Sequence, residues 1–268
     1  MADRRSGWWS SPFLAASAGV HGAALATLVA SPQSWSLALT AIVGNHLAIG
    51  AAGMCPRCGW LGPNITRLPA ARSHGSLVGL TFDDGPDPAV TPAVLELLDA
   101  ARAKATFFCI GQRAATYPDL VAAIRARGHG VENHSYSHPN GFALRASRGL
   151  KREILGAQQA IEHAGGGQPR FFRAPAGIQN PWLAGVLAAA GLSLVSWTRR
   201  GFDTVSRDGG RVASRLVRGM RPGDILLLHD GSSARDASGR PVVLEALPRV
   251  LDAMCRKDLR SAALHAVL

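Results

Sequence analysis

Between Arg5 and Arg57 the chain carries no Asp, Glu, Lys or Arg, and two apolar runs fill that interval. The first, Phe13 to Ala30, and the second, Trp35 to Gly53, each come close to the roughly 20 residues that a membrane-spanning helix needs. A Pro-containing SPQS break separates them, and Trp8, Trp9 and Trp35 near their ends suit a water–lipid boundary. The Ala/Gly richness and the polar His21, Asn45 and His46 leave a buried helical hairpin of a soluble protein as the alternative. Arg4 and Arg5 precede the first run, Arg57, Arg67 and Arg72 follow the second, and the connection is uncharged. The positive-inside tendency therefore puts both flanks, and the main domain, on the cytoplasmic side of a bacterial-type inner membrane. AALA at Ala23 to Ala26 offers a small-x-small cleavage pattern, and cutting there would leave the domain in the periplasm. The apolar run continues to Ala30 and the residues ahead of it are only weakly basic, which favours the hairpin.

From Ser76 onward the pattern changes to short, often β-branched apolar runs alternating with longer helix-like stretches. LVGLTF, KATFFCIG, HGVENH, RFFRAP, LSLVSW, DILLLHD and a last run near SAALHAVL read as strands. TPAVLELLDAARA, YPDLVAAIRARG, REILGAQQAIEHAG, NPWLAGVLAAAG and VVLEALPRVLDAMC read as helices, several with Pro in the first turn and Gly after the last. Strand–helix repetition of this kind predicts an α/β fold, a distorted (β/α)7-type barrel behind the N-terminal hydrophobic hairpin. The expected division is residues 1–56 as hairpin, 57–75 as linker and 76–268 as the main domain.

Charge adds one constraint. The net +11 comes mostly from scattered arginines, without the aromatic-basic interleaving of a nucleic-acid module. Membrane lipids or a phosphorylated substrate are the simpler anionic partners, and no nucleic acid is expected. The four cysteines, Cys55, Cys58, Cys109 and Cys255, are too few for a disulfide framework, and CPRC at Cys55 to Cys58 lacks the second pair that a structural zinc site needs. His74, His129, His163 and His265 read as surface or core residues, and HAGGGQP near Gly165 as a loop after a helix.

In such barrels reactive groups collect where strands end. Asp83 and Asp84 follow the first strand, His134 and His138 the third, Arg173 the fourth, Asp203 the fifth and His229 the sixth. His134 and His138 lie four apart, so on one helical turn both imidazoles would face the same side and could grip a divalent metal. Asp84 would complete a two-His, one-carboxylate set with open positions, the arrangement of a catalytic metal. Its neighbour Asp83, leaving the strand in another direction, could then act as general base toward water.

TFDDGP, HSYSHP, RAPAG and LLLHD, in this order and at these intervals, resemble the signature motifs of the polysaccharide deacetylase family, the NodB-homology or carbohydrate esterase family 4 fold. The resemblance spans about Leu77 to the C-terminus. It implies a metal-dependent hydrolase that removes an N-acyl group from an amino sugar. Asp83 matches the family's base, Asp84, His134 and His138 its metal ligands, His229 the acid that protonates the departing amine, and Arg173 the arginine tethering the base. The N–H of Ala176 matches the oxyanion donor, and Asp203 the carboxylate that orients His229. The ion is expected to be zinc, with cobalt, manganese and nickel as alternatives.

The fourth motif departs from the family pattern. In WTRRGFDT, Trp197 and Asp203 keep their places, while Arg200 and Thr204 stand where an Asp and a Trp are usual. The lost Trp removes a groove wall, and Ala176 stands where an aromatic is frequent. Arg199 and Arg200 at the same rim suit a phosphate. Arg200 and Trp197 are thus the expected substrate contacts, and a lipid-linked or nucleotide-linked amino sugar, or a short glycan built on it, the expected substrate. The rivals are a conventional extracytoplasmic deacetylase of peptidoglycan or a chitin-like chain, and a non-catalytic sugar-binding membrane protein with the same fold.

Overall fold

The computed structural model describes residues 11–69 and 75–268. Arg4, Arg5, Trp8, Trp9, Arg72 and His74 lie outside those residues. The two apolar runs form α1 (Pro12–Ala30) and α2 (Trp35–Met54). Ser11 caps α1, its Oγ accepting the Leu14 N–H at 3.2 Å. The Asn45 amide donates to Ser17 Oγ at 2.8 Å and pins the two helices at mid-length. Both are long and apolar enough to cross a membrane, and only 17% of each apolar window is buried, so Leu25, Val29, Leu37 and Leu47 stand exposed.

Strands β1 (Leu77–Asp83), β2 (Thr106–Cys109), β3 (Gly130–Asn133), β4 (Phe171–Phe172), β5 (Ser193–Leu194), β6 (Arg199–Arg200), β7 (Ile225–His229) and β8 (Arg260–Ala262) make one parallel sheet. Its order is β5-β4-β3-β2-β1-β7-β6, with β8 paired to the start of β1. The expected barrel is therefore a curled sheet whose edges, β5 and β6, leave a seam. Helices α3 (Thr91–Ala100), α4 (Gly111–Thr116), α5 (Pro118–Ala126), α6 (Ser147–His163), α7 (Leu183–Ala189), α8 (Gly209–Val217) and α9 (Val243–Arg256) connect the strands.

Strand alternation divides the core in two. Leu80 and Phe82 of β1, with Leu226 and Leu228 of β7, face the helices and pack with Val94, Leu98, Val212, Leu247 and Val250. Ile225 and Leu227 face the concave side with Phe108, Phe171, Val195 and Trp197. Because β1 and β7 run in parallel register with Asp83 opposite His229, both of those polar residues emerge on the same face at the same level.

Residues 57–69 are not the free linker expected from their position. Ile65 bridges Val195 beyond the end of β5, the Leu68 N–H donates to the Gly223 carbonyl at 2.8 Å, and Arg67 pairs with Asp224 at 2.7 Å. Ile65 and Leu68 supply apolar surface to the concave core, so this stretch belongs to the domain. The hairpin itself is seated on it. The Gln179 N–H donates to the Gly53 carbonyl at 2.9 Å, and a side chain at Gly53 would meet the Gln179 carbonyl oxygen at 2.5 Å, so only glycine allows this approach.

Candidate active site

Asp83 ends β1, and Asp84 follows it in the left-handed region at φ 70°, which sends the two carboxylates apart. The Asp83 Oδ1 accepts from Arg173 Nη1 at 2.6 Å. Arg173 is fully buried. It also donates to Thr81 Oγ1 at 2.8 Å and to the carbonyls of Val195 and Ser196 at 3.3 and 3.1 Å, and it lies 4.0 Å over the Phe108 ring. A guanidinium so fully partnered fixes the orientation of the Asp83 carboxylate.

The Asp84 Oδ1 lies 3.2 Å from His134 Nε2 and 3.3 Å from His138 Nε2. The His134 Nδ1 is 2.8 Å from the Arg173 carbonyl oxygen, so Nδ1 carries the proton and Nε2 offers a lone pair. Burial pushes the Asp84 carboxyl upward, but the close approach of His134, then His229 and His138, outweighs it and holds the carboxyl well below the usual range. Its Oδ1 is buried without a hydrogen-bond partner. Three ligand atoms thus converge within 4.8 Å of one another. An orphaned buried oxygen among imidazole lone pairs is what a divalent cation would satisfy, so these residues fit one.

The two histidines reach this place by a different route from the expected helical turn. They lie on the loop after β3, with Ser135 and His138 at φ 64° and 47°. Asn133 Oδ1 accepts the Ser135 N–H at 3.0 Å, and Ser135 Oγ accepts the His138 N–H at 3.1 Å. These local side-chain bonds displace the helical ones. Glu153 of α6 takes the remaining donors, its Oε2 accepting Tyr136 N–H and Ser137 N–H at 3.1 and 2.9 Å.

Opposite stands His229 at the end of β7. Asp203 is fully buried and accepts twice from that one residue, Oδ1 from the imidazole Nδ1 and Oδ2 from the backbone N–H, at 2.8 and 2.7 Å. Burial lowers the His229 pKa, but the charge and hydrogen bond of Asp203, with Asp83 and Asp84 beyond, raise it above the ordinary value. Asp230, next in sequence, sits under the DDGP loop. Burial pushes it up to about 7, and its Oδ2 accepts from Thr91 Oγ1 at 2.6 Å.

Ala176 lies in the short turn Pro175–Gly177 at φ 55°, a strained conformation for a residue with a Cβ. Two substrate-side expectations change. Trp197 is 6% exposed and lies between Gly177, Arg173 and Arg200, so it supports the floor of the site instead of presenting a face. Arg199 is bound to Asp224 at 2.6 Å and to the carbonyls of Arg218 and Gly219, which ties it to the scaffold. Arg200 remains, near the Trp197 and Phe202 rings, its Nε buried without a partner among the described residues.

The family described as polysaccharide deacetylase matches residues 70–195. A chitooligosaccharide deacetylase of Azorhizobium caulinodans is 38% identical over 186 residues, covering 67% of this chain and 88% of that protein. The chain belongs to the polysaccharide deacetylase family. As a member it is a hydrolase of the carbohydrate N-deacetylase class. A peptidoglycan-N-acetylglucosamine deacetylase of Bacillus cereus is 32% identical over 199 residues, covering 73% of this chain and 90% of that one. Among solved structures, a family 4 carbohydrate esterase from Streptomyces lividans in complex with acetate superposes with a TM-score of 0.63 at 36% identity, covering 70% of this chain and 92% of that one. The α1–α2 hairpin falls outside the matched family segment.

Sequence reasoning passed over Glu153, Thr81, Thr91 and Asp230, which hold the named groups in place. Asp230 had a signal, since it directly follows His229. Glu153 had none.

Proposed function

We propose that this protein is a membrane-tethered, metal-dependent N-deacetylase acting on an amino sugar. The observation that carries the reading is the convergence of Asp84, His134 and His138 between two separately braced groups, Asp83 on Arg173 and His229 on Asp203. A binding module has no use for all of them. Asp84, His134 and His138 would hold one divalent cation, zinc first among those such a set accepts, and the ion when bound polarises the acyl oxygen and acidifies water.

The protein's own groups then divide the proton work. Asp83, its Oδ1 occupied by Arg173, keeps Oδ2 to take the proton of the attacking water. The Ala176 N–H would donate to the charge that develops on the acyl oxygen. His229, with Nδ1 committed to Asp203, presents Nε2 as the acid that protonates the departing amine, without which an amine is a poor leaving group. Arg173 and Asp203 are positioning residues, and the Asp203 charge and hydrogen bond also outweigh burial to raise the His229 pKa.

The hairpin supports a membrane anchor and the arginines flanking it a cytoplasmic placement, with residues 76–268, onto which 57–69 pack, as the deacetylase domain. The unpaired Arg200 and the missing aromatic wall favour a lipid-linked saccharide over a long neutral polymer. The matched relatives act on chitooligosaccharide or peptidoglycan according to their names, which keeps the conventional polymer deacetylase as the second reading.

The deciding measurement is acetate and formate release by the detergent-solubilised protein, with and without chelator, from lipid-linked amino sugars and chitooligosaccharides in parallel. Release from the lipid-linked set alone supports this reading. Release from the free oligosaccharides alone supports the second, and binding without any release supports a silent sugar-binding protein. A C-terminal topology reporter on the far side of the membrane would overturn the cytoplasmic placement.

A further inference from the structure

The turn that leaves α2 is wedged against the site. The Cys58 N–H donates to the Cys55 carbonyl at 3.0 Å, closing a four-residue turn with Pro56 second and Arg57 third. Pro56 lies over Gly177, the residue after Ala176. A Cβ at Gly177 would stand 2.9 Å from Pro56 Cβ and 2.5 Å from the Trp197 ring. Asn64 Nδ2 donates to the Pro56 and Cys58 carbonyls at 2.8 and 3.3 Å, and Gln179 Nε2 reaches the Cys58 carbonyl at 3.5 Å, so the turn is held from both sides.

This placement carries Arg57 to the rim. It is exposed, with Nη1 3.5 Å from the Thr198 carbonyl oxygen. Two residues beyond Thr198, the Arg200 guanidinium carbon is 5.7 Å from the Trp197 ring centroid, the same ring that touches Gly177 beneath Pro56. Arg67, Arg173 and Arg199 each have a carboxylate partner, but among the described residues no carboxylate lies within 4.0 Å of Arg57 or Arg200. Two guanidiniums beside one strand rim, neither with a carboxylate partner among the described residues, match an anion that can accept from both.

We propose that the hairpin's exit turn is part of the substrate site, where Arg57 and Arg200 together bind the phosphate of the amino-sugar substrate. This rests on the deacetylase reading and adds a specificity element contributed by the N-terminal hairpin. Pro56, next to Arg57, packs over Gly177, the residue after Ala176, so a phosphate held at Arg57 would lie on the Ala176 side of the site. The sugar attached to that phosphate can then reach the metal-binding residues while its lipid or nucleotide remains outside the groove.

The test measures binding by the full chain in nanodiscs, in an Asp83→Asn background so that ligands are not consumed. The probes are polyprenyl-phosphate-linked N-acetylglucosamine in the disc, uridine-diphosphate N-acetylglucosamine in solution, and neutral chitotetraose. We expect a phosphate-bearing probe to bind more tightly than chitotetraose, and Arg57→Ala and Arg200→Ala each to cut that preference by about tenfold. Arg57→Lys should keep part of it, and the preference should shrink with added salt. Preference for the polyprenyl probe identifies a lipid source, and preference for the uridine probe a nucleotide source. Equal affinity for all three, or a uniform loss in Arg57→Ala with its melting temperature intact, overturns the phosphate site. Acetate release is scored separately with Asp83 restored. A preference that persists without release removes the deacetylase reading alone, and release without a preference removes the phosphate site alone.

Discussion

Asp203→Asn separates the proton chemistry of the site from its scaffold. Asp203 accepts two hydrogen bonds from His229, at Nδ1 and at the backbone N–H. An asparagine has one acceptor oxygen and one NH2 donor to offer to two donors. If its oxygen keeps the backbone N–H, the NH2 faces Nδ1, strips that nitrogen of its proton and opposes the imidazolium. If it turns over, the NH2 clashes with the backbone N–H. Either way one charge-assisted bond, about 1.5–3 kcal/mol, is lost, which predicts a fall in kcat of about ten- to a hundredfold. The sign of the pH effect follows from the same bond. Asp203 helps to raise the His229 pKa, and the acid acts only while protonated, so removing that charge moves the alkaline limb of the kcat–pH profile to lower pH. An acetyl ester, whose alcohol leaves more readily than an amine, should lose less than the amide substrate does. The assay is acetate release from chitooligosaccharide and from an aryl acetate across pH, with metal content measured alongside. An unmoved alkaline limb and equal losses on amide and ester would refute the assignment of His229 as the acid and reduce Asp203 to a packing role.

Three further outcomes are expected. Asp83→Asn should lower turnover by at least about a hundredfold while the metal content stays, and loss of metal instead would show that the two aspartates have been assigned the wrong way round. His129 is buried with Nδ1 accepting the Ala105 N–H at 3.3 Å, and burial, then the Lys104 charge, depresses its pKa from 6.5 to about 4. The unfolded chain binds that proton first, so stability is complete above pH 6.5 and falls by about 3 kcal/mol as pH drops towards 4. His129→Gln should flatten this part of the melting-temperature profile, and an identical slope would discount His129. Gly53→Ala should cost about 1–3 kcal/mol through its clash with the Gln179 carbonyl oxygen, seen as earlier proteolysis between hairpin and domain, and an unchanged cleavage pattern would mean that the two are not seated on each other.

The fold was legible where apolar runs were long. β1 and β7 are continuous in the sequence, and their register alone sets Asp83 and His229 side by side. β6 was missed because its two residues are both arginines, kept in the sheet by bonds from Arg199 to Asp224 and to carbonyls. α8 was missed because two glycines follow its capping Asp208, although Val212 and Leu216 do lie on one helical face. The His-x3-His spacing singled out two residues that do converge beside Asp84, but for a conformational reason that does not hold, since Asn133 and Ser135 hold a loop where a helix was expected. Residues 57–69 read as a linker because their polar and Pro-containing stretch hid two anchors, the partly buried Ile65 and the buried Leu68. Nothing local could reveal that Pro56 lies on Gly177, a contact between segments 121 residues apart.

With the hairpin in a bilayer and a lipid-linked substrate, as proposed above, the seating of Gly53 on Gln179 would change how the domain meets that substrate. A domain on a slack tether samples a hemisphere of solution, whereas one bolted to its anchor works at a single height and is confined to two dimensions. Its rate then answers to molecules per unit area of bilayer, not per unit volume. Diluting a lipid-borne substrate with inert lipid, at constant bulk amounts of both, would slow it, and adding more aqueous buffer would not.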